Sequence, residues 1–386
     1  MDDRNDPTGT SMDRRSIIKA IAGGLGGLCL AAQVRSRPVA AAQTARMGFV
    51  RRERSPWFTP LEAGRLRCDL CPRHCRLEPG RRGACRVREN NNGTGYTLVY
   101  GNPCLVQIDP VERKPFYHVL PGSRALSIST AGCPIECKFC EVWDMALVRP
   151  EELHAYDLPP GAVVEHAREA GVQAVSYAFG EPVAFYEYMA DTASMAKEAG
   201  LLNLLHTSGY IERQPLEEIT GILDAVNIDL KSFCPQFYRD ICSAELDPVL
   251  ETLKWLKGAG VHVEITNILI PTLNDDMQLI RRMCAWIRDE LGADVPLHFT
   301  RFYPLYKLAN LPQTPASTMD EARSAAQDEG LEYVYVGKVT GHDGENTYCP
   351  GCAHKVIDRT GFVIEHVHLT NGACNYCGTA IPGIWS

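Results

Sequence analysis

Gly132-Cys133-Pro134-Ile135-Glu136-Cys137-Lys138-Phe139-Cys140 spaces three thiols as CxxxCxxC on one short loop. The loop follows directly on an apolar run, residues 125–130, that reads as a β-strand. Cysteines two to four residues apart are poorly placed to pair with each other and well placed to converge on one ion or cluster. Structural zinc and electron-transfer clusters normally take four protein ligands, so three leave one metal position open. The carboxyl end of a strand is also where α/β barrels build active sites. A zinc site completed by His118 or Cys104 is the competing reading.

Outward from this loop, short apolar runs alternate with amphipathic segments. The runs are residues 125–130, 174–179, 202–206, 225–230, 261–270 and 296–302, with helical spacing in 162–170, 185–199, 248–258 and 276–291. Strands alternating with helices predict parallel βαβ units and an α/β fold, and six strands fall short of the eight that close a full barrel. A Pro-containing link, a helix at 319–328 and a strand at 333–336 follow. A length of 386 residues predicts two or three domains. The expected divisions are a signal and linker (1–46), a cysteine-rich module (56–122), the core (123–340) and a terminal module (345–386). With 39 Lys and Arg against 47 Asp and Glu, the net charge of −8 argues against a general nucleic-acid binder.

The chain carries 16 cysteines, and a bare count allows extracellular disulfides or intracellular metal thiolates. Spacing decides for metal, because eleven fall into three groups. Beyond the central triplet, Cys349-x2-Cys352 and Cys374-x2-Cys377 are two knuckles separated by 21 residues, with a strand-like segment at 361–369 between them. Four thiolates close a coordination sphere, so a zinc ribbon or a rubredoxin-type iron is expected. His366 and His368 in this ribbon read as surface residues. Cys68, Cys71, Cys75 and Cys85 form a second set of four, for zinc or an auxiliary [4Fe–4S] cluster. Cys29, Cys104, Cys234, Cys242 and Cys284 are scattered singly and read as buried packing residues.

The N-terminal 46 residues read as targeting rather than fold. Arg14-Arg15 precedes an uncharged stretch, residues 20–32, and Ala40-Ala41-Ala42 follows. The stretch is too short to span a bilayer, and the combination resembles a bacterial twin-arginine signal. Export to the periplasm is the expectation, with a cytoplasmic location if the signal is not used.

The cysteine loop on the first core strand resembles that of the radical SAM superfamily. In that family a [4Fe–4S] cluster on three cysteines binds S-adenosylmethionine (SAM) at its open iron and cleaves it reductively. The resulting 5′-deoxyadenosyl radical abstracts hydrogen from a substrate. The resemblance implies a partial (β/α)6 barrel with Cys133, Cys137 and Cys140 as cluster ligands. Phe139 matches the residue near the adenine, and Gly180-Glu181-Pro182 at the second strand end matches the segment that contacts the methionine ammonium. Ser208, in Thr207-Ser208-Gly209, stands where the family contacts ribose or carboxylate. Asp229, Lys231 and His298 lie on or beside later strands and are further cofactor contacts by this reading.

The likeness extends from Cys68 to Ile384 through Asp109-Pro110-Val111-Glu112-Arg113-Lys114-Pro115 and Ile270-Pro271-Thr272-Leu273-Asn274-Asp275. It is similar to the AmmeMemoRadiSam-system enzymes, relatives of the pyruvate formate-lyase activating enzymes. That implies an electron donor, and AMMECR-like, Memo-like or other protein partners. Two segments depart from the pattern: Gly180 stands where Asn is expected, and Glu141-Val142 where Gln-Asn is expected. The alternatives are a glycyl-radical enzyme activase and, of another class, a multi-centre iron–sulfur electron carrier. Four ligands on the central cluster would mark the carrier.

Overall fold

The computed structural model describes residues 44–386, which form one compact unit. All but the last three residues of the signal-like segment, and Cys29 with them, lie outside the described residues. The central sheet has eight strands: β1 (Leu105–Pro110), β2 (Arg124–Ser129), β3 (Ala174–Tyr177), β4 (Leu202–Thr207), β5 (Ala225–Asp229), β6 (His262–Leu269), β7 (Leu297–Arg301) and β8 (Val334–Gly337), neighbours in chain order. β1 is antiparallel to β2, and the other pairs are all parallel.

Six helices make the crossovers: α1 (Pro160–Glu169), α2 (Tyr186–Glu198), α3 (Arg213–Thr220), α4 (Asp247–Gly258), α5 (Met277–Glu290) and α6 (Ala316–Asp328). β2 to β7 with these helices are the six expected βα units. β8 adds a seventh parallel strand, and β1, within the expected cysteine-rich module, an antiparallel edge. Among the described residues no helix is long and apolar enough to cross a membrane.

Alternation along the strands separates two apolar environments. Leu126, Ile128, Val175, Tyr177, Leu205 and Val226 join the large core under the helices. Ala125, Ala174, Leu204 and Ala225, on the opposite face, pack against Val111, Phe116 and Val119. Each buried Leu, Ile, Val or Phe contributes about 1.5–3 kcal/mol by leaving water, so a one-residue register slip would expose the helix-facing set. The loop after β1 thus fills the inner face near the amino ends of the strands and leaves their carboxyl ends to other residues.

A buried carboxylate ties this floor together. Glu264 accepts from the backbone N–H groups of Tyr117 and His118, at 3.1 and 2.9 Å, and from Nε2 of His262 and His298, at 3.2 and 2.6 Å. Arg359, from the C-terminal module, donates to the Tyr117 carbonyl at 2.7 Å. His118 spends both ring nitrogens, on the Pro382 carbonyl and the Tyr335 hydroxyl, each at 2.6 Å.

His298 therefore sits second in β7, bound to Glu264 and edge-on to Tyr117, 4.8 Å between ring centroids. That is the amino end of the strand, opposite the cysteine loop. Its expected role as a cofactor contact gives way to a structural one, because its ring is committed to a fully buried carboxylate. His118 is likewise no zinc ligand for the central loop.

Burial holds the His118 imidazole down to about 3, from a usual value near 6.5. The folded chain keeps it neutral while the unfolded chain protonates it, so stability falls as pH drops below about 6.5 and continues to fall toward 3. The expected slope from this group is about 1.4 kcal/mol per pH unit. Urea unfolding at pH 7.5 and 5 tests it. His118→Gln should lower stability at pH 7.5 and flatten the difference between the two conditions, whereas an unchanged slope would remove His118 as its source.

Candidate active site and metal centres

The chain leaves β2 through Thr130-Ala131 and turns at Gly132, whose φ is +103°. A Cβ there would lie 2.8 Å from the Val87 methyls and 3.0 Å from the Cys85 carbonyl oxygen, so only glycine lets the loop pass. The cysteine loop is then pinned on one side by Glu136 N–H to the Cys242 carbonyl, 2.8 Å, and Lys138 N–H to Ile241, 2.9 Å. On the other side the Arg73 guanidinium donates to the carbonyls of Pro134 and Ser243. Arg86 pairs with Glu136 at 2.6 Å.

Of the three thiols only Cys137 is held below its ordinary pKa, first by a hydrogen bond from Cys242 and then by the Lys231 charge, against the burial that raises it. Burial pushes Cys133 well up, with the Glu181 carboxylate adding to it, and Cys140 up to about 12. Cys242 is the residue that the sequence reading missed. It packs in the core, fully buried, and its thiol also lies beside Cys137 at the end of a π-helical turn, Tyr238–Cys242. Nothing in its spacing marks it, since a hundred residues separate the pair; the π turn, a frequent companion of functional sites, is visible only in three dimensions. Cys104 packs its thiol toward the Ser129 carbonyl, and burial pushes it up to about 12.

The ends of β3, β4 and β5 bring polar groups to the same side as the loop. Glu181 Oε1 accepts from the Thr207 hydroxyl, 2.5 Å, and Val183 N–H, 3.1 Å, while Oε2 accepts from Ser208 N–H, 2.9 Å. A carboxylate has about four acceptor positions, so one remains for a further donor. Asp229 pairs with Lys231 Nζ and His206 Nε2, each at 3.0 Å, and these partners hold its carboxyl well below the usual range despite burial. Lys231 Nζ is 5.8 Å from the centre of the Phe139 ring.

Gly180 has a steric cause: a Cβ there would sit 2.4 Å from Ser129 Oγ. Pro182 is buried and faces the apolar core near Leu205 and Ile211 rather than the loop. On the inner face Ser127 and Ser176 stand side by side in register, both fully buried and both with unpartnered hydroxyls.

The outer sets differ in geometry. Among the described residues the C-terminal four, Cys349, Cys352, Cys374 and Cys377, are the one group of at least three Cys, His, Asp or Glu whose ligand atoms all lie within 4.8 Å of one another. Cys349–Cys377 and Cys352–Cys374 Sγ separations are 3.5 and 3.7 Å. A tetrahedron with metal–sulfur bonds near 2.3 Å has edges of about 3.8 Å, so this set fits a single ion. No three of Cys133, Cys137 and Cys140, nor of Cys68, Cys71, Cys75 and Cys85, have ligand atoms all within 4.8 Å of one another, so neither set closes on a single ion.

Comparison with known proteins follows the same lines. Residues 127–284 match the profile of the Radical SAM superfamily. An uncharacterized protein of Methanocaldococcus jannaschii is 41% identical over 327 residues, covering 84% of this chain and 97% of its own length. The pyruvate formate-lyase-activating enzyme of Clostridium pasteurianum is 28% identical over 175 residues, 44% of this chain and 71% of its own. A solved domain of pyruvate-formate lyase-activating enzyme from Bacteroides vulgatus aligns over 42% of this chain and 98% of that domain, at 16% identity and a TM-score of 0.39.

The C-terminal geometry predicts one tetrahedral ion per chain. Cys352→Ser and Cys374→Ser should each remove about one equivalent of metal and lower the unfolding midpoint by about 5 °C or more, read by elemental analysis and calorimetry. Unchanged metal content in both variants would count against this site.

Proposed function

The chain belongs to the radical SAM superfamily, and we propose that its Cys133, Cys137 and Cys140 hold a [4Fe–4S] cluster whose open iron binds SAM. Three observations support the fit. The three thiols do not close on a single ion, Glu181 keeps one acceptor position free, and orphaned Ser127 and Ser176 hydroxyls point into the barrel from the inner face. The group supplies one-electron reductive cleavage of SAM to a 5′-deoxyadenosyl radical that abstracts hydrogen from the substrate.

The protein's part is binding, orientation and exclusion of quenchers. Glu181, fixed by Thr207, Val183 and Ser208, would take the methionine ammonium, and Phe139 would hold the adenine. Asp229 and Lys231 hold opposite charges at the strand end and would meet the carboxylate and ribose. Gly180 offers only its carbonyl, since its N–H is donated to Ser129 Oγ at 3.0 Å. The carrying observation is the convergence of the triplet, Glu181 and the Asp229–Lys231 pair at the carboxyl ends of successive strands.

A second reading, glycyl-radical enzyme activase, draws on relatives named as activating enzymes, including one for benzylsuccinate synthase in Thauera aromatica. Trp143, 40% exposed and stacked on Tyr306 at 5.1 Å just beyond Cys140, offers a surface for such a protein substrate. An electron donor is required in either case, and AMMECR-like or Memo-like proteins are candidate partners. Zinc is our assignment for the C-terminal four. We retain twin-arginine export as the expected route, which fractionation of a tagged chain reads directly.

Anaerobically reconstituted protein, reduced in the presence of SAM, should release 5′-deoxyadenosine. Cys137→Ala should abolish it, and Glu181→Gln should weaken SAM binding by about tenfold or more, the loss of one charged hydrogen bond of roughly 1.5–3 kcal/mol. Cys242→Ala should retain the cluster iron. If Cys242→Ala instead loses iron as Cys137→Ala does, Cys242 is a fourth ligand, no iron is open, and the electron-carrier reading takes over.

A further inference from the structure

We infer that Cys68, Cys71, Cys75 and Cys85 hold a second iron–sulfur cluster, which passes electrons through a shared protein wall to the cluster on Cys133, Cys137 and Cys140. The relay rests on the reading of the central triplet given above; the second cluster itself does not.

The four N-terminal thiols do not close on a point as the C-terminal four do. No three of them have their ligand atoms within 4.8 Å of one another, and they line a common pocket whose wall also includes Pro134 of the central loop and Val183 of the segment after Glu181. A single tetrahedral ion needs only the gap between touching sulfurs, whereas a cubane core needs a chamber ringed by them. Cys68, Cys71 and Cys85 are buried, and Cys75 is the partly exposed member. Small backbone completes the ring: a Cβ on Gly83 would lie 3.5 Å from Cys75 Sγ and 3.9 Å from Cys85 Sγ.

A buried cation stands against this chamber. Arg88, 2% exposed, lies beside Cys68 and Cys85. It is forked onto Glu187 of α2 at 2.7 and 2.9 Å, and its Nε–H has no partner. A cluster with four thiolates is an anion in both oxidation states, and a fixed guanidinium with a spare N–H offsets that charge and donates toward sulfur. Hydrogen bonds and charge at the sulfurs are among the terms that set a cluster's potential.

The two centres share a wall. Cys85 O is 3.0 Å from the position a Cβ would take on Gly132, the residue before Cys133, and Pro134, the residue after it, faces the N-terminal chamber. Arg73 and Arg86 bind the same loop from the N-terminal side. An external low-potential one-electron donor reduces the second cluster by one electron, with entry nearest Cys75. That electron then crosses the loop to the central cluster, and no bond or proton changes place in the transfer.

The full chain, produced and purified without oxygen from iron-replete cells, tests this directly. About eight irons and eight sulfides per chain are expected, as two [4Fe–4S] clusters. The variant Cys133→Ala/Cys137→Ala/Cys140→Ala leaves the N-terminal set untouched and should keep about half, with a reduced-cluster EPR signal. If it holds no iron and gains a zinc instead, the second cluster is refuted. If it keeps all the iron of the parent chain, the reading of the central triplet fails and the relay with it.

With both clusters reduced in the parent chain, their EPR signals should be split or broadened by spin coupling; two independent signals would refute the shared wall. Cys71→Ala/Cys85→Ala, checked for an intact central-cluster signal as its folding control, should accept electrons from a low-potential donor protein at least tenfold more slowly. An unchanged rate would overturn the relay.

Discussion

The segment that ends at Cys242 holds the cysteine loop by two backbone hydrogen bonds, from Glu136 and Lys138, and everything at the site is placed relative to that grip. A loop carrying three closely spaced thiols that is fixed by the fold itself spends no binding free energy on being ordered by a ligand. The grip lies between the flanks of Cys137, so the same segment that fixes the backbone also sets a second thiol beside the middle one. Arg73 extends the arrangement by binding Pro134 and Ser243 together, which joins the N-terminal module, the loop and the π turn.

The two ends of the strands divide their work. At the amino ends Glu264 gathers four donors, two adjacent backbone N–H groups and two histidines, and a carboxylate so saturated has nothing left for chemistry. Burial lowers the His118 pKa, while its partners hold Glu264 well below the carboxylate range, so both favour the neutral-pH form of the floor. At the carboxyl ends Glu181 and the Asp229–Lys231 pair are polar groups with capacity to spare. Small inner-face residues, Ser127, Ser129 and Ser176, separate the two regions.

Much of this was legible in one dimension because its signals are local. The apolar runs, the crossover helices and the three cysteine groups each depend on spacing within a few residues, and the strands and helices appear where that periodicity put them. The missed elements lack such spacing. α3 spans only eight residues, with Pro215, Leu216 and Ile219 buried, too short a segment to stand out between its flanking loops. β1 is an edge strand with a half-buried pattern. His298 was misplaced for a related reason: alternation tells which face of a strand a residue takes, and not how far along the strand the chemistry lies. Cys242, Ser127 and Ser176 owe their interest to neighbours distant in sequence, so no reading of local pattern reaches them.

Burial also separates the three cysteine sets by role. Lys231 is a buried cation beside the central thiols and Arg88 one beside the N-terminal thiols, each tied to a single carboxylate, Asp229 and Glu187. Replacing a buried ion pair by apolar residues of similar volume is often neutral or stabilising, so stability alone does not explain these two pairs. An anionic cluster that gains and loses an electron would use the charge, since a fixed cation in a low-dielectric site shifts the potential far more than one in water. The C-terminal set stands apart: Cys377 is exposed, its sulfurs lie at single-ion spacing, and the module around it docks onto the floor through Arg359, at the end of the strands away from the cysteine loop. A centre placed there would stabilise the fold, and the relay we infer would run between the two sets that meet at the Gly132–Pro134 wall.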